Sequence, residues 1–172
     1  MTTDGTRWCY SIGGVPVVSD FRFFGGVASE DGDASDRIRV RLASVPCQLD
    51  GAVSFGPTWQ SAPSSFMLDV PGVVRFIVTD GTDIVVEPAA GVPLEDAAIF
   101  VAGTAVAIAL YQRGALVLHA SAVVHGGKAF AFTGASGAGK STLAALLCRR
   151  SGCEMLSDDV SVIDLGGESP VL

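Results

Sequence analysis

Lys140 and Ser141 follow three closely spaced glycines in the run Gly134-Ala135-Ser136-Gly137-Ala138-Gly139-Lys140-Ser141-Thr142. Gly, four residues, Gly-Lys and then Ser or Thr is the spacing of a phosphate-binding loop. The chemistry requires each residue type where it stands. Gly134, Gly137 and Gly139 let the backbone wrap closely round phosphate oxygens, so that the N–H groups of residues 135 to 141 form an anion-binding nest. Lys140 places a point charge on the outer phosphates, and the Ser141 hydroxyl suits Mg2+. Residues 134 to 142 are therefore the candidate nucleotide-binding residues. The plain alternative is a glycine-rich turn between a strand and a helix.

Two more groups stand at workable distances along the chain. Asp158 and Asp159 follow Lys140 by 18 and 19 residues. Adjacent carboxylates repel, which raises one pKa or demands a cation, and Mg2+ answers that demand. Ser141 and one of the two aspartates would hold the metal, and the other aspartate is then free to accept the proton of an incoming seryl hydroxyl. Which aspartate does which is left open, and a simple strand-end turn is the alternative for the pair. His119 lies 21 residues before Lys140 among apolar residues, where a catalytic histidine and a satisfied core histidine are both open.

These groups need elements to position them. The alternating run Lys128 to Thr133 predicts a strand leading into the loop, and Ser141 to Arg150 a helix leaving it, whose N-terminal N–H groups face the bound phosphate. Leu143, Ala144, Leu146 and Leu147 would form that helix's buried face, with Arg149 and Arg150 at its C-terminus and Gly152 as its stop. Upstream, Ala115 to His125 reads as a strand inside which His119 sits, joined to the next by a Gly126-Gly127 hairpin turn with His125 exposed beside it. Downstream, the segment from Cys153 predicts a strand ending in the two acids, with a second strand behind them. The stretch Leu94 to Tyr111, opened by Glu95-Asp96 and stopped by Gly114, predicts a helix apolar all round and so buried.

The N-terminal half reads differently. Residues 8 to 19 predict a hairpin turning at Gly13-Gly14, with Pro16 marking an edge strand. Residues 25 to 36 are rich in Gly, Ser and Asp and predict an exposed loop. Arg37-Ile-Arg-Val-Arg-Leu42 alternates at period two, a strand whose three arginines suit either solvent or an anionic surface. Ser65 to Glu87 predicts three strands split at Pro71-Gly72 and Asp80-Gly81. The expected fold is α/β, α+β overall: a small antiparallel β unit over residues 1–92, then a P-loop kinase-like core over 93–172. Such a core needs several parallel strands between helices, so its C-terminal part is expected to be missing and the chain to be a fragment or a shortened protein.

Composition narrows the partners. The 172 residues are 49% hydrophobic and 17% charged with mean hydropathy +0.47, which excludes a disordered tail. A formal charge of -7 argues against nucleic acid, and neither half is basic: residues 1–92 hold 11 acids and 6 bases, residues 93–172 hold 7 and 5. The start Met1 to Trp8 has no signal-peptide pattern, and the uncharged run Ala97 to Leu110 is too short to span a membrane. A cytoplasmic protein with no membrane partner is expected. Cys9, Cys47, Cys148 and Cys153 lack zinc-ligand spacing and read as incidental thiols.

With Leu118-His-Ala-Ser-Ala-Val, the loop Gly134 to Thr142 and Leu156-Ser-Asp-Asp-Val in view, residues 93 to 165 resemble the HPr serine kinase/phosphorylase family and its relatives in peptide-modification gene clusters. The resemblance implies an ATP- and Mg2+-dependent serine kinase, able also to run the reverse phosphorolysis, acting on a protein or peptide serine, with a homo-oligomer allowed. It also implies roles for His119, Asp158 and Asp159 in the active site. The chain departs from the family in reading Gly-Lys-Ser-Thr where HPr kinases have Gly-Lys-Ser-Glu, and it lacks the Arg-Gly-Leu-Gly segment that helps engage the protein substrate. An ATP-binding regulatory module without transfer activity, or a P-loop NTPase, are the other readings of the same loop.

Overall fold

Period-two alternation in the N-terminal half becomes one large sheet in a computed structural model of the chain, which describes residues 7–22, 27–28 and 36–163. The architecture is mixed α/β, with few helices. The chain divides into two compact units, Met1–Arg113 and Gly114–Leu172. A boundary expected at residues 92/93 therefore moves past the helical segment. The physical reason is that this segment packs on the N-terminal sheet and ends pinned to it, with Gln112 Oε1 accepting from the Gly81 amide at 2.8 Å and Arg113 Nε donating to the Gly81 carbonyl at 2.6 Å.

In the N-terminal unit, β1 (Trp8–Ile12) and β2 (Val15–Ser19) form the expected hairpin. Gly13 and Gly14 both take positive φ, 57° and 75°, as a two-residue hairpin turn requires. The sheet continues with β3 (Val27–Ala28), β4 (Ile38–Leu42), β5 (Ser54–Phe55), β6 (Trp59–Ser61), β7 (Ser65–Val70), β8 (Val74–Thr79) and β9 (Asp83–Pro88), in the spatial order β3-β1-β2-β4-β9-β8-β7-β6-β5. The expected antiparallel unit is instead a mixed sheet, because β4 runs parallel to both β2 and β9 and joins two antiparallel blocks. That pairing is non-local, so no turn signal announces it. Pro16 does not mark an edge either: β2 is internal, and its pairing with β4 begins at Val17, one residue beyond the missing N–H. Most of the stretch expected as a loop, residues 25–36, lies outside the described residues, although β3 falls within it.

The two faces of this sheet are covered differently. Ile38, Val40, Phe76, Val78, Ile84 and Val86 are buried, as are Ala97, Ala98, Val101, Ala105, Val106, Ala109 and Leu110 from the helical segment. Each fully buried Val, Ile, Leu or Phe contributes roughly 1.5–3 kcal/mol relative to exposure. The segment comprises α1 (Leu94–Phe100), a π-helical turn (Val101–Ala105) and α2 (Val106–Gln112). Ile99 and Tyr111 are 70% and 72% exposed, so the segment is buried on one side only. It is also longer than the uncharged run suggests: Leu94–Gln112, 19 residues at mean hydropathy 1.6, is long and apolar enough to cross a membrane by length and composition, with 39% of that window buried. On the other face, Val45 and Leu49 from the connection after β4 pack with Met67, Ile77 and Val85.

The C-terminal unit is built round β11 (Ala120–His125), which pairs antiparallel with β12 (Lys128–Thr133) and β13 (Glu154–Ser157), while β10 (Leu116–Leu118) pairs with β14 (Ser161–Ile163). Among the described residues of this unit no parallel pair is formed. The Gly126-Gly127 turn and exposed His125 stand as expected. Helix α3 (Lys140–Arg150) follows β12 and packs against β11 and β13. Its expected apolar face is mostly open: Ala144 alone is buried, and Leu143 and Leu146 are 44% and 43% exposed. Ala144 on the helix and Ala120 and Ala122 on β11 are buried small residues, whereas the longer leucines of the helix are left open.

Candidate functional site

Between β12 and α3 the chain turns through Gly134 to Gly139, and the backbone there explains the glycines. Gly137 and Gly139 hold φ of 79° and 88°, in the left-handed region, with open space where a Cβ would stand. The demand is on backbone conformation rather than on room. Gly139 caps α3, and its carbonyl accepts the first helical bond from Leu143 at 2.8 Å. Within the turn, the Ala138 amide donates to the Ala135 carbonyl at 3.1 Å. Lys140 lies back across the loop, its Nζ donating to the carbonyls of Gly134 at 3.0 Å and Ala135 at 3.2 Å. These partners are neutral, so the ammonium charge is not cancelled.

A cavity of about 320 Å³ opens here, lined by Ser136, Gly137, Gly139, Lys140, Ser141 and Thr142 together with His119, Ser121 and Asp159. A cavity of about 410 Å³ in the N-terminal unit is larger but carries none of this chemistry. The loop, His119 and one of the two aspartates are thus brought together within one unit.

The aspartates separate by direction. Asp158 Oδ1 accepts from Ser121 Oγ at 2.6 Å and from the Asp159 amide at 3.1 Å, and the same Ser121 hydroxyl stands 3.4 Å from Ser141 Oγ. The Ser121 hydroxyl, then Ser141 and the Asp159 amide, hold the Asp158 carboxyl below the ordinary carboxylate range, with His119 adding a smaller electrostatic effect. Asp159 turns the other way. Its φ of 74° puts a non-glycine residue in the left-handed region, a conformation Asp tolerates better than most. Both its carbonyl, at 2.9 Å, and its carboxylate Oδ1, at 3.0 Å, reach Nδ1 of His119. A carbonyl oxygen only accepts, so a proton on Nδ1 is what satisfies both contacts.

His119 does not sit inside a strand. It occupies the break between β10 and β11, 54% exposed, so it is no core histidine. Ser121 was not anticipated from the sequence. The available signal is the spacing His119-x-Ser121, two residues that follow one another on the same side of an extended chain. Ser121 is fully buried inside an apolar strand, where a hydroxyl needs a partner.

Among the described residues no three His, Cys, Asp or Glu side chains cluster as a metal cage. Mg2+ does not need one, since it is commonly held by one or two carboxylates together with substrate phosphates. An ionised Asp158 beside the Ser141 hydroxyl is a hard-oxygen pair that fits this use. The Asp159 carboxylate is engaged with His119. Comparison of the chain with protein-family models, curated proteins and solved structures found no match.

Proposed function

We propose that the C-terminal unit is a P-loop kinase-like core that binds Mg2+ and ATP and transfers the γ-phosphoryl group to a seryl hydroxyl of a protein or peptide, as the resemblance to HPr serine kinases implies. The observation that carries the reading is the division of labour between the two aspartates: Asp158 faces Ser121 and Ser141, whereas Asp159 faces His119. Ser141 and Asp158 would hold Mg2+, which when bound neutralises charge on the phosphate oxygens. The amides of residues 135 to 141 and Lys140 cradle the phosphates. The His119–Asp159 pair takes the seryl proton as the serine oxygen bonds to the γ-phosphorus and the bond from that phosphorus to the β–γ bridging oxygen breaks, with ADP leaving.

The test is incubation of the full chain with γ-labelled ATP and serine peptides. Label on a serine supports transfer, and its absence in well-folded protein removes it. A second reading, an ATP-binding module without transfer, is favoured by the exposed apolar side chains Phe130, Leu143, Leu146, Met155 and Leu156, which suit a partner surface. Nucleotide binding without turnover would support that reading, and release of free phosphate alone would point to an NTPase.

A further inference from the structure

In the C-terminal unit two chain breaks face each other. β10 and β11 are parted at His119, and β13 and β14 are parted at residues 158–160, so the break that carries the histidine meets the break that carries both aspartates. Two serines bracket the second break. Ser157 ends β13 and Ser161 opens β14, and their hydroxyl oxygens lie 2.6 Å apart across the aspartate turn. Ser161 is fully buried, and its hydroxyl donates to the Ala120 carbonyl at 3.3 Å. A hydroxyl has one proton to give, so Ser157 is the donor to Ser161, and the order runs Ser157, Ser161, Ala120 carbonyl. Ala120 stands between His119 and Ser121, the two residues whose side chains meet Asp159 and Asp158.

We propose that Ser161, with Ser157 as its donor, is the positioning residue of the aspartate turn, fixing it against the segment His119 to Ser121 so that each carboxylate meets its own partner. One partner would satisfy a buried hydroxyl, whereas Ser161 has two, and they lie on β13 and β11. Because β14 itself pairs with β10, the hydroxyl ties the two-stranded sheet to the three-stranded one beside the site. β13 is shaped to deliver the first member. It pairs Met155 with Val123 but Ser157 with Ala122, so Leu156 is an extra residue, a bulge of the kind that re-aims a side chain. Neither serine is among the residues lining the loop cavity, so both act through the aspartates.

The proposal rests on the transfer reading for its effect on rate and on geometry alone for its effect on His119, so the two are measured separately. In the full chain without nucleotide, at about pH 8.5 where an ordinary imidazole is neutral, the ring nitrogen resonances of His119 report its tautomer. His125, exposed beside the Gly126-Gly127 turn, is the internal control. Wild-type protein should show His119 protonated at Nδ1, held by the two Asp159 oxygens. S161A should move the His119 signals towards those of His125, which stay in place. S157A should move them the same way, and S157T, which keeps the hydroxyl at a half-buried strand position, should restore them. S157A/S161A should match S161A, since the two hydroxyls act as one unit. Transfer of labelled phosphate to serine should fall about tenfold or more in S161A, the scale for losing a group that orients a metal-site ligand. Thermal melts of each variant confirm folding. Unmoved His119 signals in folded S161A overturn the proposal whatever the transfer rate, as does a further shift in the double variant or no recovery in S157T. Wild-type protein without transfer activity, but with His119 shifting as expected in S161A, would remove the transfer reading and leave the positioning role supported.

Discussion

Ser121 donates its hydroxyl to Asp158 Oδ1 across 2.6 Å, tying a fully buried strand residue to a carboxylate 37 positions further along the chain. This bond is the largest cause of the depressed Asp158 pKa, ahead of Ser141. Ser121→Ala should therefore move the Asp158 pKa up towards the ordinary value, read by carboxyl NMR titration. The sign for stability follows. A group whose folded pKa is depressed contributes stability above its unfolded value, about 4, and loses it as pH falls through the folded value. Wild-type protein should thus lose more stability than Ser121→Ala on acidification below about pH 4. If Asp158 binds the metal, the substitution should also cost roughly tenfold or more in transfer rate through misplacement of the carboxylate. An unmoved Asp158 titration would show that the hydroxyl does not hold it.

Lys140→Ala should lower phosphoryl transfer by on the order of 10²-fold or more, the loss that follows removal of one preorganised charge-stabilising donor. Titration calorimetry with magnesium nucleotide should show weakened binding at the same time, because the ammonium now resting on the Gly134 and Ala135 carbonyls is the loop's only side-chain cation. Full transfer activity in the variant would remove Lys140 from the mechanism.

The parts that proved legible are those written in local signals. Gly13-Gly14 and Gly126-Gly127 mark hairpins because positive φ at adjacent residues has few other uses, and the run from Lys128 to Arg150 states strand, loop and helix in order. What stayed hidden depends on partners distant in sequence. The parallel placement of β4, the docking of α2 on Gly81 and the bond from Ser121 to Asp158 each join residues far apart in the chain. The short strands β5 and β6 carry too few residues for alternation to register. Asp158-Asp159 shows a limit of another kind: the pair is visible in the sequence, but only the left-handed backbone at Asp159 decides that the two carboxylates face different neighbours.

Gly81→Ala should destabilise the N-terminal unit by about 1–3 kcal/mol or more, through two effects at once. The residue holds φ of 66°, and an added Cβ would meet the Ala109 carbonyl and Arg113 Cγ, each at 2.8 Å. Gly72→Ala supplies the comparison: its φ is 72° but nothing lies within 4 Å, so only the backbone cost applies. Chemical denaturation should rank Gly81→Ala clearly below Gly72→Ala. Equal stabilities would mean that α2 can give way at this turn.

The two aspartates should fail differently. Asp158→Asn removes a charge beside Ser141, so nucleotide affinity in the presence of Mg2+ should fall while affinity in its absence changes little. Asp159→Asn should leave both affinities near wild type and lower the rate, since its carboxylate is committed to His119 Nδ1 at 3.0 Å. Groups that act as one unit are non-additive, so His119→Ala and the Asp159→Asn/His119→Ala double variant should each lose about as much as Asp159→Asn alone. Losses that multiply in the double variant would mean that the two residues act separately, and a Mg2+-dependent binding defect in Asp159→Asn would return that carboxylate to the metal. Either result would undo the division of labour on which the proposed transfer depends.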